Sequence, residues 1–140
     1  MDDLKKQMDQ TQKLTKRPFA INYTSRTFNE DIFKFALEEA KPKIISYALG
    51  NPGELVKRAH DAGILFLQQV HTARQAREAA ELGVDALIAQ GSEAGGFCAN
   101  VSAFSLIPQV VDQVGKRVPV IAAGGIADGR GFAAALLLGA

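Results

Sequence analysis

Apolar residues recur along the chain in five short runs, with stretches of helical periodicity between them. The runs read PFAINYT, IISYAL, ILFLQQV, ALIAQG and VPVIAAGG, starting near Phe19, Ile44, Ile64, Ala86 and Val118. They are of strand length and show little polar alternation. That pattern predicts strands buried on both faces, as in a parallel sheet covered by helices. Their starts lie 20 to 32 residues apart, which matches one βα unit each.

The intervening stretches carry helix signals. Phe28, Ile32, Phe35, Ala36 and Ala40 form one apolar face, with Asn29 as N-cap and Glu30 and Asp31 in the first turn. Next, Asn51 is expected to cap and Pro52 to take the first helical position, with Leu55, Val56, Ala59 and Ala62 buried and Gly63 as the stop. Thr72 and Gln75 make a capping box before Ala76, Ala79 and Ala80, and Gly83 closes that helix. Leu106, Ile107, Val110, Val111 and Val114 mark a fourth core-facing stripe ending at Gly115, with Ser102 and Ser105 as its capping residues. Asp128 caps a fifth helix, GRGFAAALLLGA. A weaker amphipathic helix, with Leu4 and Met8 on one side, covers about residues 2 to 16.

βα units in series close into a barrel or open into a doubly wound sheet. Their uniform repetition, with glycines at several strand ends, favours the barrel. The fold class is therefore α/β, a (β/α)8 TIM barrel. That fold takes about 250 residues and eight strands. Five units make a partial barrel, so residues 1–140 are expected to be a single domain truncated at both ends, with two strand edges left open to pairing and hence to homo-oligomer formation.

Composition narrows the function. The net charge is +1, with no global field for nucleic acid or an anionic membrane. The basic residues of the first segment (Lys5, Lys6, Lys13, Lys16 and Arg17) alternate with Asp and read as a solvated face. The one cysteine, Cys98, excludes an internal disulfide framework and fits a reducing compartment. No run reaches the roughly 18 apolar residues of a membrane span. The N-terminus has no apolar leader core, so a cytoplasmic location is expected.

Ligands of parallel α/β folds sit at the C-terminal ends of the strands. Those ends carry Asn22, Tyr23 and Thr24; Gly50 and Asn51; Gln69 and His71; Gln90 to Gly96; and Gly124 to Ile126. Apart from Glu93 the set is polar and uncharged. It lacks the acidic cluster of a magnesium or calcium site and the His/Cys spacing of a zinc site. It suits an organic ligand with many hydrogen-bonding edges and a phosphate. Two glycine motifs stand out. QGSEAGGFCAN, residues 90 to 100, follows the fourth run, and AAGGIADGRG, residues 122 to 131, follows the fifth. Backbone N–H groups at Gly124 and Gly125 can cradle phosphate, or the pair can simply make a tight βα turn.

AQGSEAGGFC followed by PVIAAGGIADGRGFAAALLLGA resembles the nitronate monooxygenase family, also called 2-nitropropane dioxygenases. The flavin-dependent enoyl-ACP reductases of the second type share these motifs. PFAIN and GELVKRAHDAGI extend the resemblance over residues 17 to 140. It implies an FMN-binding TIM barrel that oxidises alkyl nitronates with O2. Carried over by position, the flavin contacts fall on Asn22, Gln90, Gly95, Gly124 and Gly125. Asn22 and Gln90 hold both donors and acceptors, which suits the edge of an isoalloxazine ring, though both side chains also serve as caps and loop contacts elsewhere.

The chain departs from the family's pattern at two points. Many members follow EAGG with a His that acts as the base. Here Phe97 stands there and cannot accept a proton. Phe97 is then expected to wall the substrate pocket, and a nitronate, already deprotonated, needs no base. The family's first strand pair and its last phosphate-binding strand also lie outside this sequence. The alternatives are an enoyl thioester reductase and a non-catalytic barrel fragment. Among single residues, His71 is a weak catalytic candidate at the rim, otherwise structural. His60 reads as surface, Glu93 as a backbone acceptor holding the Gly95 turn, and Cys98 as a small packed side chain.

Overall fold

A computed structural model describes residues 2–97 and 100–140. Helix α1 spans Asp2–Leu14, and the strands are β1 (Ala20–Thr24), β2 (Ile44–Ala48), β3 (Leu65–Val70), β4 (Ala86–Gln90) and β5 (Val120–Ala123). Between them lie α2 (Glu30–Phe35), α3 (Leu55–Asp61), α4 (Ala73–Glu81) and α5 (Ala103–Val114). Helix α6 (Gly129–Leu137) follows β5. The strands form one parallel sheet in sequential order, β1-β2-β3-β4-β5. The register runs Asn22↔Ser46, Ser46↔Leu67 and Leu67↔Ala86, and ends with Gln90↔Ala123. This is the βα series that the spacing predicted.

Local capping behaves largely as read from the sequence. Asn29 Oδ1 accepts from the Ile32 N–H at 3.1 Å, and Thr72 Oγ1 from the Gln75 N–H at 3.2 Å. Asp128 Oδ1 accepts from Arg130 N at 2.9 Å and Gly131 N at 3.3 Å. Two caps differ. Helix α3 begins at Leu55, and Asn51 instead accepts from Gly53 N at 2.8 Å in a turn ahead of the helix. Pro52 is buried in that turn rather than sitting at the first helical position. Ser102 precedes α5 but makes no side-chain cap; its hydroxyl meets that of Ser105 at 3.3 Å.

The core lies between the helices and one face of the sheet. Tyr23, Ile45, Tyr47, Phe66, Val70, Leu87 and Ala89 project there and are buried. Phe33 of α2 is only 1% exposed and meets Tyr23 edge-on, with ring centres 5.7 Å apart. The predicted apolar face of α2 omitted Phe33 and included Phe35. Phe35 in fact turns to the other side, against Met8 of α1 and Ala40. Helix α2 is wedged between sheet and α1, so it buries apolar residues in two directions, and its last turn widens to a π-helix over Ala36–Ala40.

The opposite sheet face is not covered by the described residues. Leu65 and Ile121 are 49% and 44% exposed there. The expectation of strands buried on both faces therefore holds for one face only. Alternation divides the adjacent glutamines of β3. Gln68 enters the core side and donates to Gly50 O at 2.7 Å, while Gln69 stands on the open face.

Candidate active site

The open face and the loops beyond the strands' C-terminal ends collect the predicted site residues. Asn22 lies on β1 beside Ser46 of β2, in register, and the Ser46 hydroxyl donates to Asn22 Oδ1 at 2.5 Å. That bond fixes the amide so that Nδ2 remains a free donor. Ser46 was not singled out from the sequence; its signal is a small polar residue inside the otherwise bulky run IISYAL. Gln90 ends β4, and its Nε2 donates to the Phe97 carbonyl at 2.9 Å, leaving Oε1 as an acceptor. The site therefore offers one oriented amide donor and one oriented amide acceptor.

The loop after β4 is built on close approach. Gly91 N donates to Ala123 O at 2.9 Å, tying β4 to the end of β5. A Cβ on Gly91 would fall within 2.5 Å of Ala103 Cα, so only glycine lets the N-terminus of α5 sit there. Glu93 then reaches that terminus, where its Oε2 accepts from Ala103 N at 2.8 Å. This bond, first among its causes, lowers the carboxyl pKa below the ordinary value. Glu93 does bind loop backbone, as predicted, but it caps α5 rather than holding the Gly95 turn. It does the work expected of Ser102.

Gly124 and Gly125 have φ of 106° and 72°, the left-handed region that disfavours side chains. A Cβ on Gly124 would lie 3.0 Å from Ala94 N, and one on Gly125 3.3 Å from Glu93 Cβ. The N–H groups of Gly125 and Ile126 donate to nothing among the described residues. Open donors on a glycine turn before a helix fit a phosphate. Gly95 is different: no atom of the chain lies within 4 Å of where its Cβ would be, so packing does not require glycine there.

His71 is half-buried at the rim. Its backbone N–H donates to Gln75 Oε1 at 2.7 Å, and its Nε2 lies 2.8 Å from Gln69 Nε2. Burial lowers its pKa. The contact with Gln69 occupies Nε2, so that nitrogen is not open to a substrate proton. His60 is a surface residue, as read from the sequence, and it is also tethered: its Nε2 lies 2.8 Å from Asp85 Oδ2, which also accepts from Phe66 N at 2.7 Å. Both contacts lie at the strands' N-terminal ends, away from the site. Cys98 lies outside the described residues.

Phe97 is 47% exposed, and the Arg26 guanidinium carbon stands 4.5 Å from its ring centre. The mouth is therefore not free of cationic charge, as the strand-end inventory implied. Arg26 lies two residues past β1 and carried no local signal. Among the described residues no cluster of His, Cys, Asp and Glu could hold a metal ion, and no helix is long and apolar enough to cross a membrane.

The nitronate monooxygenase family model matches residues 1–140. The chain belongs to the nitronate monooxygenase family. It is 37% identical over its full length to the (3aS,4S,5R,7aS)-5-hydroxy-7a-methyl-1-oxo-octahydro-1H-indene-4-carboxyl-CoA dehydrogenase of Mycobacterium tuberculosis, covering 40% of that protein. It is 39% identical to the nitronate monooxygenase of Paraburkholderia phytofirmans over 84% of the chain and 34% of that protein. The structure of FabK from Thermotoga maritima superposes with a TM-score of 0.92 at 38% identity, over 99% of this chain and 44% of that one. The chain thus spans less than half the length of these relatives and corresponds to five βα units of their barrel. Its family is one of oxidoreductase enzymes.

Proposed function

We propose that this chain carries the flavin-facing part of an FMN-dependent oxidoreductase that oxidises alkyl nitronates with O2. The observation that carries the reading is the pairing of a glycine turn with open N–H groups at Gly125 and Ile126 and oriented amides at Asn22 and Gln90. Phosphate would bind the first, and the edge of a flavin ring would bind the second. Gly95 would let backbone approach the ring, which explains a glycine that packing does not require. When bound, FMN supplies the electron transfer from the nitronate carbon to O2. The chain's own part is to bind, orient and wall the site. Phe97 excludes water and takes no proton, which matches a substrate that arrives ionised.

A second reading is favoured by the relatives matched across the whole chain. The Mycobacterium tuberculosis protein is named for a carboxyl-CoA substrate. An acyl or enoyl thioester would use the same ring edge and the same apolar wall.

Titrating the chain with FMN, following flavin fluorescence and Tm, tests the cofactor. Saturable binding with a raised Tm is expected. Gly95→Ala is expected to weaken FMN binding while leaving apo stability within about 0.5 kcal/mol. Oxygen uptake with ethylnitronate tests the substrate. Full flavin occupancy without uptake overturns the nitronate reading, and NAD(P)H oxidation with an enoyl thioester would then support the second. A folded chain that does not bind FMN overturns both for this stretch of barrel.

A further inference from the structure

Arg26 and Phe97 belong to loops that follow β1 and β4, and two strands separate those loops in the sheet. Their contact at 4.5 Å therefore crosses the mouth of the open face instead of joining neighbours. No carboxylate pairs with Arg26 among the described residues. Nor does its guanidinium donate a hydrogen bond within them. A ring against the cation leaves the planar fork of N–H donors open to a second partner. That fork matches two oxygens on one planar centre.

The rest of the mouth does not compete for the anion. Glu93, the nearby acid, is turned to Ala103 N at 2.8 Å. Asn22, Ser46, Gln69 and Gln90 are uncharged. His71 is held toward its neutral form by burial. Asp128 and Arg130, beyond β5 at the same end of the sheet, are paired with each other at 2.6 Å, so Arg26 is the cation here that has a ring for a neighbour and no carboxylate partner among the described residues.

We infer that Arg26 is the specificity-determining group of this site, binding the planar oxyanion of a small nitronate or carboxylate seated against Phe97 and rejecting its neutral counterpart. This rests on the proposed function for where the substrate sits, but not for which substrate turns over. The geometry assigns the selection step to binding: the site admits the ion already formed, and no residue at position 97 has to make it.

Propionate and propionamide, which are alike in shape and differ in charge, test this on the full chain with and without FMN. Binding is read by NMR on the Gln90 side-chain amide and the Phe97 backbone amide. Propionate is expected to bind about tenfold tighter than propionamide, the scale of one charge-assisted hydrogen-bonded contact. Arg26→Gln should erase that difference, Arg26→Lys should keep part of it, and Phe97→Leu should reduce it. Circular dichroism should show all three variants folded, since both side chains are exposed. Equal affinities in the parent, or propionate affinity unchanged in Arg26→Gln, overturns the inference. A charge preference without ethylnitronate oxidation overturns the nitronate reading and leaves Arg26 as an oxyanion site. Oxidation without a charge preference does the reverse.

Discussion

Gly91→Ala places a methyl group where α5 begins. Its Cβ would lie 2.5 Å from Ala103 Cα and 2.6 Å from Ala103 Cβ. Ordinary contact needs about 3.5–4.0 Å between carbons, so the helix start must move by roughly 1 Å or more. Gly91 has no left-handed φ, so the cost is steric and not conformational. Three bonds depend on that approach: Gly91 N to Ala123 O, Ser92 N to Val101 O, and Ala103 N to Glu93 Oε2, all between 2.8 and 2.9 Å. Overpacking of this kind costs about 1–3 kcal/mol. For a chain of this size that is a fall in Tm on the order of 3–10 °C. Thermal unfolding followed by circular dichroism reads it directly. Ala103→Gly in the same background should not restore stability, because the clash is chiefly with Ala103 backbone. A Gly91→Ala variant that melts within about 1 °C of its parent, or full rescue by Ala103→Gly, would refute the close-approach argument.

Three further outcomes follow from the same geometry. Glu93→Gln should loosen the α5 start, seen as faster hydrogen exchange at Ala103; since the folded carboxyl pKa is lowered, the parent's stabilisation holds above its unfolded value of 4.5 and is lost as pH falls through the folded value, and the variant should lack that acid dependence. His71, with its folded pKa lowered from 6.5, favours the fold above that value and loses the contribution as pH falls; His71→Asn should flatten the stability profile of urea unfolding across that window while leaving flavin binding in place. Phe33→Ala should cost about 3–5 kcal/mol, because it empties a fully enclosed position against Tyr23 and Phe28, and urea unfolding would show it as a large drop in midpoint with an unchanged slope.

The unpaired acceptor of Gln68 shows why a strand's two faces must be told apart. Its Oε1 is buried without a protein partner among the described residues, while Nε2 holds the loop at Gly50. QQ in ILFLQQV reads as polar punctuation near a strand end. Only the assignment of faces makes one glutamine a core strut and the other a partner of His71.

What the sequence by itself determined was local. Strand positions, sequential βα order and the caps at Asn29, Thr72 and Asp128 are all legible, because each signal acts within about one turn of its own residue. The two glycine motifs were equally legible, and with them the family. The π-turn of α2, the divided loyalties of Phe33 and Phe35, and the late start of α3 were not, because they depend on what packs on each side. The tertiary structure alone decided which carboxylate caps α5 and which cation meets Phe97. Glu93 and Ala103 are brought together by a helix that returns to its own strand end. Arg26 and Phe97 meet because a parallel sheet carries every loop that leaves a strand's C-terminal end to the same side, where residues 71 positions apart share one mouth.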